Sequence, residues 1–148
     1  MPFDENLILI DGTVDLTDTT DTPAVSTTRN TTYGCAVIDL KGTGFRGLAA
    51  VLVVPAAALA GSTLLGYIEA SDEVAFTVHD TTEYLHRVAV FQILAATYAT
   101  ILAAETPCTC IVRFTTNKRY VRANLTVNVG YNFYKTQVLL SPYPYLDL

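Results

Sequence analysis

Apolar and polar residues alternate along residues 117–129, and this stretch supports the clearest structural prediction in the chain. The apolar positions are Val121, Ala123, Leu125, Val127 and Val129. A repeat of two residues is typical of a strand with one buried face, so we expect this set to face a core while Arg122 and Asn124 face outward. Such a strand needs partners on both edges and a layer against its apolar face, which predicts a sheet stacked on another layer.

Shorter apolar runs predict the remaining strands. In residues 33–40 the alternation directs Ala36, Ile38 and Leu40 inward. Residues 48–54 are apolar throughout, as in a central strand covered on both faces, and Pro55 ends the run. Further strands are predicted over residues 63–70, 74–78, 86–94, 108–114 and 134–140, whereas residues 95–104 fit either a short helix or an irregular crossover. The short apolar segment 3–10 ends at the turn signal Asp11-Gly12. The pattern predicts an all-β fold, a jelly-roll-like antiparallel β-sandwich of about eight strands with extended terminal arms.

The two ends of the chain lack this patterning. Residues 13–32 are rich in Thr and Asp without a period, so alone they cannot offset the entropy cost of ordering. Residues 141–148 contain two prolines, which block ladder pairing. We therefore divide one domain into an N-terminal arm (1–32), a sandwich (33–140) and a C-terminal tail (141–148). The apolar residues of the arm and tail are predicted to bind a partner, and they are Phe3, Leu7, Ile8, Tyr143, Tyr145 and Leu146.

Composition and charge narrow the class of function. The 148 residues are enough for one core, and an abundance of Val, Thr and Tyr suits strands better than helices. The net charge is −5 and the basic residues are scattered, which argues against binding to nucleic acid or to an anionic membrane. The longest apolar run, 48–60, is shorter than the about 20 residues of a membrane-spanning helix, and the acidic N-terminus lacks a signal-peptide charge pattern, so export is not expected.

Residues 42–47 match the glycine pattern GxGxxG of dinucleotide-binding loops. That chemistry requires a helix immediately afterwards, whose N-terminus meets the pyrophosphate. Here a β-branched run closed by Pro55 follows instead, so we interpret the glycines as a hairpin turn.

Two stretches contain residue types that can bind metal ions. The spacing of His79, Asp80, Glu83 and His86 fits neither an HExxH helix nor a zinc finger. Asp15, Asp18 and Asp21 recur every third residue, without the central Gly and closing Glu of a calcium loop. No Ser, Thr or Cys has a recognisable nucleophile setting. We therefore predict no bound metal, no cofactor and no enzymatic activity.

The cysteines and the aromatic residues favour packing or contact roles. Cys108 and Cys110 lie two apart on one face of a predicted strand, which is awkward for a mutual disulfide, and Cys35 leaves an odd number, so we expect packed thiols. Aromatic residues cluster near the C-terminus at Tyr131, Phe133, Tyr134, Tyr143 and Tyr145. For the first three, core packing and partner contact both stay open, and for the last two we expect a partner because Tyr is favoured at interfaces.

Four features in order carry a resemblance to a known family. They are the turn Asp11-Gly12, the turn Asp39-Leu-Lys-Gly-Thr-Gly44 before a buried strand, a Thr-rich middle, and the strand segment Lys118-Arg-Tyr-Val-Arg122. With them the chain resembles the small cement, or capsid decoration, proteins of tailed bacteriophages. The resemblance implies a non-enzymatic virion protein on the outer surface of an icosahedral head, made in the host cytoplasm. Its implied partners are the major capsid protein and further copies of itself, as a dimer or trimer. Residues 85–104 and the aromatic tail depart from the family pattern.

A different class of function also fits a jelly roll. Adhesins and lectins of this architecture bind carbohydrate, usually on an exposed aromatic platform beside a polar pocket. This chain has no Trp, although Tyr could serve. Many symmetric copies on a shell would favour the first function, and a monomer with a concave aromatic cleft would favour the second.

Overall fold

The computed structural model describes residues 7–17, 24–42, 46–58, 64–76, 87–93, 108–127 and 132–142. The elements of these ranges are β-strands, and within them no helix is long and apolar enough to cross a membrane. The strands are β1 (Ile8–Asp11), β2 (Leu16–Thr17), β3 (Ile38–Asp39), β4 (Arg46–Val54), β5 (Ala56–Ala58), β6 (Leu64–Ser71), β7 (Arg87–Ile93), β8 (Cys108–Thr116), β9 (Tyr120–Val127), β10 (Asn132–Tyr134) and β11 (Gln137–Pro142).

The strands form two four-stranded antiparallel sheets. The first sheet has the order β1-β11-β4-β8 and the second sheet has the order β3-β9-β6-β7. Three short strands, in the order β2-β10-β5, form a separate sheet that we call the end sheet. With the end sheet set aside, the eight remaining strands follow the orders 1-8-3-6 and 2-7-4-5, which is the strand order of a jelly roll. The predicted fold class is confirmed.

The core lies between the inner faces of the two sheets. On β9 the residues Val121, Ala123, Leu125 and Val127 are buried, and the intervening positions are more exposed, so the predicted register is confirmed. On the first sheet, Leu52 of β4 lies between Cys110 of β8 and Val138 of β11 and is fully buried. The predicted inward set Ala36, Ile38 and Leu40 is buried as well. On β9, apolar alternation therefore specifies which face of the strand meets the core.

One predicted strand is wrong in its described part, and another is divided in two. Residues 74–76, the described part of the strand predicted over 74–78, form a turn in which the Phe76 N–H donates to the Glu73 carbonyl at 3.2 Å. The strand predicted over 134–140 is interrupted at Lys135, whose φ is 49° and whose N–H donates to an Asp15 carboxylate oxygen at 3.1 Å. The chain passes at this point from the end sheet to the first sheet, so the predicted strand is divided between β10 and β11.

The glycine-rich segment 42–47 does not form the predicted hairpin. Its middle, residues 43–45, lies outside the described residues, but β3 before it belongs to the second sheet and β4 after it belongs to the first. The connection therefore crosses between sheets, because a hairpin would require β3 and β4 to be hydrogen-bonded neighbours. A strand follows the glycines, as expected.

The described part of the predicted N-terminal arm belongs to the sandwich. β1 pairs with β11, β2 pairs with β10, and Leu9, Ile10 and Leu16 are fully buried. Arg29 holds the segment before β3 against β1, because its guanidinium donates to the Gly34 carbonyl at 2.6 Å and to the Ile8 carbonyl at 2.8 Å. The boundary at residue 32 therefore does not separate an arm from a domain. In the tail, Ser141 and Pro142 extend β11, and residues 143–148 lie outside the described residues.

Candidate functional site

Ion pairs join the connections at one end of the sandwich. The Arg119 guanidinium donates to both carboxylate oxygens of Asp39, at 3.0 and 2.9 Å. Next to it, Lys118 Nζ lies 2.6 Å from Asp72 Oδ2. Asp39 is the last residue of β3 and begins the predicted turn, and Arg119 precedes β9, so two of the sequence features described above are in direct contact.

Arg119 makes the Asp39 carboxyl a stronger acid. Its hydrogen bonds hold the pKa of Asp39 well below the usual value, and the Lys41 backbone N–H, at 2.8 Å, adds to this effect. A carboxyl with a lower pKa in the folded state stabilises the fold above its unfolded pKa of about 4 and loses that contribution as the pH falls.

We therefore expect wild-type protein to lose more stability than D39N between pH 7 and pH 3, measured as urea midpoints. The matched control is the same comparison in the R119Q background, where the pH-dependent difference should shrink because the main cause of the lowered pKa is gone. Equal losses in the wild type and in D39N would contradict the expectation.

The outer face of the second sheet carries a buried ion pair that was not predicted. Arg122 Nε lies 2.6 Å from Glu69 Oε2, and only 12% and 7% of the two side chains are exposed. The guanidinium also donates to the Ala24 carbonyl at 3.0 Å and stacks on the Phe76 ring at 4.2 Å. Arg122 faces away from the core, as predicted, but the chain at Ala24 and Phe76 covers it. No sequence signal marked Glu69 as its partner, because β6 and β9 are paired only in the folded chain.

The outer face of the second sheet also carries the aromatic ring of Tyr67, which is partly covered. The Arg87 guanidinium stacks on the ring of Tyr67 at 3.6 Å, so one side of this ring is already covered. The four tyrosines in the described ranges, Tyr33, Tyr67, Tyr120 and Tyr134, are all half-buried. Among these, no ring forms a bare platform of the kind expected for a sugar site.

The outer face of the first sheet is different, because an apolar row crosses it. Ile8 of β1 pairs with Leu139 of β11, Leu139 pairs with Val51 of β4, and Val51 pairs with Ile111 of β8. Leu139 is buried, Ile8 and Val51 are half-buried, and Ile111 is 61% exposed. We call these four residues the apolar row. The alternation of β8 already placed Ile111 on the outer face among Thr109, Arg113 and Thr115, where an exposed isoleucine is the exception.

Apart from Val53, the residues above and below the apolar row are small or polar. One neighbouring row contains Gln137, Val53 and Thr109, and the other contains Ser141, Ala49 and Arg113. This face therefore has an aliphatic centre and a rim that carries hydroxyl and amide groups.

The potential metal ligands and the partner-binding residues predicted from the sequence lie in several parts of the chain. Within the described residues no group of three or more His, Cys, Asp or Glu could hold a metal ion. His79, Asp80, Glu83, His86, Asp18 and Asp21 lie outside those residues, and Asp15 accepts the Lys135 N–H. Of the predicted partner-binding residues, Leu7 packs against the core and Ile8 begins the apolar row, whereas Phe3, Tyr143, Tyr145 and Leu146 lie outside the described residues.

The aromatic and cysteine residues in the described part pack as side chains of the sandwich. Phe133 is fully buried and Tyr134 half-buried, and Tyr131 lies outside the described residues. Cys35 is buried, while Cys108 and Cys110 are half-buried on the inner face of β8. Burial raises the pKa of the Cys35 and Cys110 thiols, which disfavours the reactive thiolate.

The described geometry thus contains structural ion pairs and one apolar row that is exposed at Ile111. Comparison with known protein families, with curated proteins and with solved structures finds no match for this chain.

Proposed function

We propose that this chain is a non-enzymatic capsid decoration protein, which binds the outside of an icosahedral phage head and stabilises it by bridging major capsid protein subunits. The observation that carries the proposal is the contact between Arg119 and Asp39. It joins the Lys118–Arg122 segment to the turn that begins at Asp39, so two separate features of the resemblance form one structural unit.

The jelly-roll fold is compatible with the proposal but does not select it, since both capsid-associated and carbohydrate-binding proteins use this architecture. A decoration protein must also stay firmly attached to the shell. A bridging protein gains effective concentration for its second contact once the first has formed, so individually modest contacts add to firm attachment. The outer face of the first sheet, with the exposed side chain of Ile111 and a polar rim, could supply one such modest contact without any catalytic group.

The test is co-sedimentation with undecorated shells assembled from the major capsid protein of the same phage. The purified full chain is expected to sediment with the shells saturably and to raise the temperature at which they disassemble, because a ligand that binds only the assembled state stabilises it. Shells saturated beforehand with unlabelled chain are the matched control and should take up no more. A chain that stays in the supernatant, whether or not it binds a glycan array, would contradict the proposal.

A further inference from the structure

The two four-stranded sheets end in four edge strands, and three of these are short or irregular. β3 has only two residues, and register shifts interrupt the pairing of β1 with β11 and of β7 with β6. β8 differs from them, because its nine residues pair with β4 without a shift. Very short or irregular edges discourage pairing with another chain, whereas a long regular edge is a template for it. Among the described strands, β8 is therefore the edge best suited to accept a further strand.

The sequence and the burial of β8 also suit pairing. The strand contains neither Pro nor Gly, and Arg113 is its only charged residue. Ile111, near its middle, is 61% exposed on the outer face. On the inner face Cys108, Cys110 and Val112 are half-buried, whereas the inward residues of the central strand β9 are buried. Both faces of β8 are thus incompletely covered, and β4 is the only described strand that pairs with it.

A second copy of β8 fits this edge in the antiparallel direction. A two-fold axis at Ile111 pairs residues 108–114 of the two copies and places the two exposed isoleucines beside each other. In this register inward residues lie opposite inward residues and outward residues lie opposite outward ones, so the core face of each strand is kept. Arg113 lies opposite the partner's Thr109, whereas an axis at Arg113 would place two like charges directly opposite each other. A two-fold contact of this kind uses the same surface on both copies.

Backbone hydrogen bonds contribute more to such a contact than buried area does. Residues 108–114, at about 3.4 Å each on an edge about 10 Å thick, give roughly 240 Å² on each copy. A standard interface uses about 800 Å² on each partner. The same pairing makes about six to eight backbone hydrogen bonds, which is within the range of ordinary interfaces. We therefore expect a weak dimer, with a dissociation constant on the order of micromolar.

We propose that this chain forms a two-fold symmetric dimer through antiparallel pairing of β8 with β8 of a second copy, centred on Ile111. The two first sheets then form one continuous eight-stranded sheet. The resemblance to decoration proteins implied further copies as partners, and this inference assigns them a strand and a register. It goes beyond the proposed function, because the dimer forms in solution whether or not a shell is present.

Sedimentation equilibrium of the full chain, from about 1 µM to about 1 mM, measures the dimer. I111K places two like charges at the axis and is expected to raise the dissociation constant at least tenfold. V25K is the matched control, since Val25 is 60% exposed and lies before β3, and V90K alters the β7 edge, where Val90 is 51% exposed. Both are expected to dimerise as wild type does. Circular dichroism checks that each variant is folded.

Cross-linking reads the register and does not depend on the folding of I111K. In a C108S/C110S background, oxidation with copper phenanthroline is expected to join I111C copies at least tenfold faster than T109C copies. The two 111 positions are adjacent at the axis, whereas the two 109 positions are about 14 Å apart. T109C lies on the same strand and the same face, so it controls for the accessibility of the thiol.

The outcomes separate this inference from the proposed function. A wild type that stays monomeric up to about 1 mM overturns the inference. If I111K then also loses binding in the co-sedimentation assay, the edge accepts a strand of the capsid protein, and the proposed function stands. A dimer that V90K disrupts and I111K does not, or equal cross-linking of I111C and T109C, overturns the inference as well. A chain that dimerises as expected but does not bind shells supports the inference, while the proposed function fails.

Discussion

Replacing Arg122 by Met is expected to lower the free energy of unfolding by about 3 to 5 kcal/mol, since Glu69 would remain as a buried charge without its partner. Two further interactions would be lost with the guanidinium, the hydrogen bond to the Ala24 carbonyl and the stack on Phe76. Met keeps most of the aliphatic stem, so the change isolates the charge and its hydrogen bonds from the packing of the chain. Chemical denaturation followed by circular dichroism measures the loss.

The double variant R122M/E69L separates the ion pair from the surrounding packing. When both charges are replaced by apolar groups of similar size, no buried charge is left unpaired, so we expect most of the loss in R122M to be recovered. K118M is the matched control, because its pair with Asp72 is about half-exposed and its removal should cost less than about 1 kcal/mol. If R122M costs no more than K118M, the Arg122–Glu69 pair is not buried in solution.

The long strands were predictable because one property, the alternation of apolar residues, is local. Val121 to Val127 on β9 show the pattern without reference to any other strand. Phe76 and Lys135 each adopt a positive φ inside a predicted strand, which the pattern of apolar residues does not reveal. For Lys135 the holding group is Asp15, 120 residues away along the chain. Periodicity carries no information about such distant contacts.

The apolar row could be predicted only in part, again because alternation does not report contacts between distant strands. Each member of the apolar row belongs to a strand that alternation could find, but the row exists only because β1, β11, β4 and β8 are neighbours in that order. Ile8 was singled out as an apolar residue of a predicted arm, and the structure places it at the end of the row instead. Val51 was predicted within a strand covered on both faces, whereas it is half-buried on the outer face. Strand order, which decides what becomes a surface, is set by non-local pairing.

The row Phe91–Gly66–Leu125 on the inner face of the second sheet explains why β6 contains a glycine. Gly66 pairs with Phe91 of β7 and with Leu125 of β9, and both neighbours are fully buried. A Cβ at position 66 would lie 2.6 Å from Leu125 Cδ2 and 3.3 Å from Phe91 Cδ2. Two large side chains therefore share the space that an alanine methyl at position 66 would need.

We expect Leu125→Ala to lower the free energy of unfolding by about 2 to 5 kcal/mol, through lost burial and the cavity left behind. Gly66→Ala alone should cost about 1 to 3 kcal/mol because the added methyl overpacks the core. In the double variant the new methyl enters space vacated by Leu125, so its cost should be less than the sum of the two single costs by about 0.5 to 3 kcal/mol. Leu16→Ala, which opens a cavity in the end sheet, should add independently to Gly66→Ala and is the control. The measurement is the denaturation midpoint of the three single variants, at positions 16, 66 and 125, and of the two double variants that contain Gly66→Ala. Strict additivity of Gly66→Ala and Leu125→Ala would show that the added methyl and the Leu125 side chain do not compete for space.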